Sequence, residues 1–111
     1  MTTAPVALSA EQLRSALAAL PGWQLERTAP PGTQVLIRTL RFPDFPAVMA
    51  FMADCVEDIE RLAHHPHWDN VFDRLTIRLS THDAGNRITA LDVELAKLMS
   101  WKASVLGAVD I

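Results

Sequence analysis

Three of the four histidines of this chain fall in one run, His64-His65-Pro66-His67, and the fourth is His82. Imidazole titrates near pH ~6.5, so a pair within reach of one ligand can give and take protons at neutral pH without extreme tuning. Carboxylates accompany them. Glu60 stands four residues before His64, a spacing that puts both on one side of a helix and lets the carboxylate accept a ring N–H, fixing tautomer and orientation. Asp92 is expected in the first turn of a last helix, where the helix dipole favours a negative group that can hydrogen-bond a polar ligand or an imidazole. Trp68, at a strand start, either walls the pocket or is plain core. A lone histidine at a helix end needs no function, since a cation there is favoured by roughly 0.3 to 1 kcal/mol. Three at fixed separations, bracketed by Glu60, Pro66 and Trp68, point instead to an acid-base site. Zinc is the rival, because imidazoles and a carboxylate are its ordinary ligands. The spacing opposes it: adjacent His64 and His65 diverge, and Pro66 breaks the regular geometry that sets two ligands on one helix face. No metal is therefore expected. Cys55 is the only cysteine, which rules out an internal disulfide and reads as a small buried apolar residue.

These residues must be positioned by the elements around them. Ser9 with Gln12 forms a capping-box pattern opening a first helix with Leu13, Leu17 and Leu20 on one face, ended by Pro21-Gly22. Trp23 to Glu26 and Val35 to Phe42 read as a hairpin around the Pro30-Pro31-Gly32 loop. Asp44 caps a second helix predicted to run to about His64, with Phe45, Val48, Met49, Met52, Val56, Ile59 and Leu62 as its apolar stripe. Trp68 to Phe72 and Arg74 to Thr81 make a second hairpin turning near Asp73. In its later strand Leu75, Ile77 and Leu79 alternate with polar residues, the mark of a sheet with one buried face. That turn brings His82 back beside His64 and His65, and a slip of one residue would send it to the opposite face. Thr89 caps a last helix that should present Leu91, Leu95, Leu98, Lys102 and Val105 on one side. The order α-β-β-α-β-β-α predicts an α+β fold, a four-stranded antiparallel sheet with its helices packed on one face.

Composition sets the frame. The 111 residues, 50% hydrophobic and 21% charged, suit a single domain spanning 1–111. Ten Lys and Arg against thirteen Asp and Glu give a net charge of -3, which supplies no general field to gather nucleic acid or anionic lipid. The first ten residues carry no basic region ahead of an apolar run, and no segment approaches the roughly 20 apolar residues of a membrane span. A cytoplasmic location is the expectation. A small core, a helix rich in Met and Phe, and edge strands that need cover predict a homo-oligomer, dimer or tetramer.

The run Glu60-Arg61-Leu62-Ala63-His64-His65-Pro66-His67-Trp68-Asp69-Asn70-Val71, then Ser80-Thr81-His82-Asp83 and Asp92, resembles the signature of the pterin-4a-carbinolamine dehydratases. Pro21-Gly22-Trp23, Phe42-Pro43-Asp44-Phe45 and Phe51-Met52 agree with it, and the resemblance covers residues 9 to 105. It implies loss of water from a 4a-hydroxytetrahydropterin to give quinonoid dihydropterin, without metal or redox cofactor. Catalytic His64, His65 and His82 are implied too, with Glu60, Pro66, Trp68 and Asp92 in support. Relatives sharing the fold work instead as assembly factors or transcriptional coactivators, the alternative reading. Two departures stand out: His67 stands where the family commonly has a glutamate or another small polar residue, and the loop from His82 to Asp92 is one residue longer.

Overall fold

The computed structural model describes residues 4–111; Met1 to Thr3, the start of the stretch read above for a targeting segment, lie outside the described residues. Helix α1 (Ala10–Ala18) starts on the expected capping box: the Gln12 amide donates to Ser9 Oγ at 3.1 Å and the Ser9 amide to Gln12 Oε1 at 2.9 Å. Strands β1 (Gln24–Thr28) and β2 (Thr33–Arg41) form the first hairpin. Helix α2 (Phe45–Leu62) is capped by Asp44, whose carboxylate accepts from the Ala47 amide at 2.9 Å. Strands β3 (His67–Val71) and β4 (Arg74–Leu79) form the second hairpin, and α3 (Ala90–Val105) closes the predicted series.

The sheet order is β1-β2-β4-β3, antiparallel throughout. One strand was not foreseen. Val109–Asp110 (β5) pairs with Leu40 and Arg41 of β2, so the sheet has five strands rather than four. A two-residue strand is too short for periodicity to reveal. Asp110 fixes it by accepting from Arg38 Nε at 2.8 Å and Nη2 at 3.2 Å.

Leu36, Leu40, Leu75, Ile77 and Leu79 cover one face of the sheet and meet Leu13 and Leu20, Val48, Phe51, Cys55 and Ile59 from α2, and Leu95, Ala96 and Met99 from α3. Each fully buried large side chain contributes roughly 1.5 to 3 kcal/mol. Burial also pushes the Cys55 thiol up to about 12, in keeping with an inert apolar residue.

The helices turn slightly from their predicted faces. In α2 the buried row is Val48, Phe51, Cys55 and Ile59, while Phe45, Met49 and Val56 are exposed. In α3 it is Asp92, Leu95, Ala96, Met99 and Ala103, with Val105 exposed. Alanines at two of these positions, with Cys55 opposite, give the inward face small side chains, and an apolar count favours the bulkier neighbouring stripe.

Lys102 lies between the helices, its Nζ 2.8 Å from Asp58 Oδ2 and 2.5 Å from the Asp54 carbonyl. The bond from Lys102 holds the Asp58 carboxyl below its usual value against the opposing effect of burial, and the same bond raises Lys102. A depressed carboxyl contributes stability that is present above its unfolded pKa of about 4 and lost as pH falls through the lower folded value. Lys102→Met should therefore cost about 1 kcal/mol at pH 7, and the gap from wild type should narrow below pH ~4. Urea unfolding across pH 2 to 7 checks this; a gap unchanged at the acid end contradicts it.

Candidate active site

The site grows out of the way α2 stops. The helix was predicted to reach His64, but it ends at Leu62; Ala63 takes a left-handed conformation (φ 49°) and the His64 amide donates to the Ile59 carbonyl at 3.1 Å. Such a stop normally uses glycine. Alanine accepts the local strain, and the chain turns so that His64 and His65 leave in different directions.

His64 goes inward. Its side chain is 8% exposed, and Nε2 lies 2.5 Å from Oδ1 of Asp92, which is fully buried. Asp92 is the third residue of α3 and part of a capping box with Thr89, so the helix start itself aims the carboxylate. Its other oxygen, Oδ2, accepts from Thr81 Oγ at 2.6 Å and from the Thr89 amide at 2.9 Å. A buried carboxylate is tolerated when its lone pairs are filled in this way.

His65 goes outward. Its Nε2 lies 3.3 Å from Glu60 Oε1, with both side chains largely exposed. Glu60 was expected to hold His64 by helical spacing; the early helix stop breaks that register, so Glu60 meets His65 and Asp92 takes His64. His82 follows β4 on a short turn (His82–Ala84); its side chain is 91% exposed and Nδ1 lies 3.5 Å from Asp83 Oδ1. His64, His65 and His82 line one cleft of about 260 Å³ together with Ala63, Ser80, Thr81 and Leu91. The hairpin register carries this outcome: His67 faces Arg78 and Trp68 faces Ile77, so the chain after Leu79 returns beside residues 63 and 64.

Other expected residues stand apart. Trp68 pairs with Ile77, turns to the core and packs on Phe51 with ring centres 6.4 Å apart; it does not line the cleft. Pro66 is half-buried between helix and strand, also outside the lining. His67 lies on the open face of the sheet, 3.9 Å from Asp69 Oδ2, and lines a neighbouring cleft of about 340 Å³ with His65, Arg78, Ser80 and Glu26. A more voluminous groove, about 730 Å³ between α1 and α3, is lined by Glu11, Ala19, Val93 and Lys97 among others and contains no histidine. Thr81 is the participant that sequence reading missed. It continues the Leu75, Ile77, Leu79 alternation, so a polar residue on the buried face was the available signal.

The arrangement can move protons. One imidazole is fixed by a buried carboxylate, and two exposed ones share its cleft. Comparisons with known proteins identify relatives of the chain. Residues 6–101 match the family model described as pterin 4 alpha carbinolamine dehydratase. A protein of Opitutus terrae is 45% identical, the match covering 87% of this chain and 97% of that one. One of Bordetella avium is 41% identical, over 89% and 87%. Both are provisionally named pterin-4-alpha-carbinolamine dehydratases. The crystal structure of a transcriptional coactivator/pterin dehydratase from Brucella melitensis superposes with a TM-score of 0.77 at 35% identity, over 87% of this chain and 98% of that one. This chain belongs to the pterin-4-alpha-carbinolamine dehydratase family.

Proposed function

We propose that this chain is a dehydratase that removes water from a 4a-hydroxytetrahydropterin, acting as one domain in the cytoplasm. In the reaction the C4a–O bond breaks as a proton reaches the leaving hydroxyl, the proton on N5 is removed, and its electron pair forms the C4a=N5 bond of quinonoid dihydropterin. His64 and His82 exchange these protons and His65, oriented by Glu60, holds the pterin. The single observation that carries this reading is the convergence of all three rings on one cleft, with His64 tied to Asp92. The chemistry needs paired imidazoles within reach of one substrate and nothing further.

The test is turnover of a freshly generated 4a-hydroxytetrahydropterin at neutral pH, followed by the absorbance of the quinonoid product. Folded protein that gives no rate above the uncatalysed reaction removes the reading. A non-catalytic role as assembly factor or coactivator is the second reading, its coactivator form favoured by the name of the Brucella melitensis relative, and that same null result would leave it standing. Phe45, Met49 and Val56 form an exposed apolar row on α2, which supports self-association as a dimer or tetramer. A monomeric mass by light scattering at micromolar concentration would contradict it.

A further inference from the structure

The hydroxyl of Thr81 carries one proton and faces two oxygens, Asp92 Oδ2 at 2.6 Å and Thr89 Oγ at 2.8 Å. The carboxylate can only accept, so the Thr81 proton goes to Asp92 and Thr89 must donate to Thr81. Thr89 Oγ remains able to accept from the Leu91 amide at 3.3 Å. Asp92 Oδ2 is then filled by Thr81 and the Thr89 amide, and Oδ1 is left for the ring of His64. That ring must present N–H on Nε2, which leaves Nδ1 as its only nitrogen free for proton exchange. We propose that Thr81 is a positioning residue: the Asp92 carboxylate sets the direction of each proton in the buried Thr89, Thr81, Asp92 and His64 chain, and the Thr81 hydroxyl, by filling Oδ2, holds that carboxylate with Oδ1 on the His64 ring and so keeps His64 as the Nε2–H tautomer.

The same residue shapes the turn that bears His82. Its carbonyl accepts from the Ala84 and Asn86 amides at 3.1 and 3.0 Å, and its amide donates to the Arg87 carbonyl at 3.0 Å. One residue thus ties both histidines to a common support, His64 through its side chain and His82 through its backbone. Valine at this position removes the hydroxyl alone and keeps shape and backbone bonds, so it isolates the first role. That His64 Nδ1 meets the substrate rests on the dehydratase reading; the direction of the proton chain does not.

The experiment compares wild type, Thr81→Val and Thr81→Ser by ring ¹⁵N NMR without substrate and by steady-state kinetics. Wild type should show the His64 proton on Nε2, exchanging slowly with water. In Thr81→Val that exchange should be roughly tenfold faster and kcat roughly tenfold lower, with KM changed less than about threefold. Thr81→Ser should return both to within about threefold of wild type. A wild-type exchange rate in Thr81→Val, a ring proton on Nδ1 in wild type, or a serine variant as impaired as valine would each overturn the proposal. If wild type itself shows no turnover the dehydratase reading falls, and the NMR comparison still decides this one.

Discussion

Asp92→Asn is expected to leave the protein folded and to lower kcat by roughly 10² to 10⁴. The geometry sets which way the new amide must lie. Thr81 Oγ and the Thr89 amide both point protons at the Oδ2 position, so the asparagine oxygen belongs there and its NH₂ is turned toward His64. An NH₂ facing Nε2 can only donate. The ring must then accept on Nε2 and carry its proton on Nδ1, the reverse of the wild-type tautomer, and the nitrogen left for the substrate can no longer take a proton. The same substitution beside a catalytic histidine is costly in serine proteases for this reason, and the magnitude here is borrowed from that case. The stability cost should stay near ~1 to 2 kcal/mol, because each bond keeps a partner. Asp92→Ala is different: it strands three buried donors and removes half of the α3 capping box, at a cost of roughly 3 to 5 kcal/mol. Urea unfolding with kcat measured on each variant separates the effects. An Asp92→Asn enzyme within threefold of the wild-type rate would show that the buried pair supports the fold and not the reaction.

How far the sequence foretold this arrangement depends on the kind of signal each residue carries. Caps and turns are local, so the capping residues Ser9, Asp44 and Thr89 and the turn near Asp73 were legible. The meeting of His82 with His64 followed from counting residues around one hairpin. Partnership between side chains was less legible. Glu60 was assigned to His64 on the assumption that the helix continued, and a left-handed Ala63 is not a stop that alanine announces. Asp92 was read as a partner for a polar ligand or an imidazole, and the twenty-eight residues between it and His64 left the choice among these to the fold. Trp68 had two readings, and strand parity, through the pairing with Ile77, selects the core. The faces of α2 and α3 depended on which of two adjacent apolar rows fits closer, a matter of volume that hydropathy does not record.

The outward histidines permit a cleaner test of chemistry than the buried one. His65 and His82 are 65% and 91% exposed at the side chain, so alanine at either leaves no cavity and strands no buried partner. Stability should change by no more than about 0.5 kcal/mol. Turnover should fall by roughly 10² or more for each, since a proton-transfer group or the ring that orients the substrate is lost. His64→Ala should lose turnover to a similar degree but also cost about 3 kcal/mol, because Asp92 would keep a buried charge with one donor removed. The contrast is the informative result. If activity merely tracked stability, His64→Ala would be the only impaired variant; if the cleft is the site, all three lose activity while only one is destabilised. Thermal unfolding and initial rates on the three proteins give both axes, and near wild-type rates for both His65→Ala and His82→Ala would move the chemistry elsewhere. The distinction works because the chain divides its imidazoles between two environments, one locked by a carboxylate and two open to solvent, so that loss of a fold contact and loss of a reacting group appear in different residues.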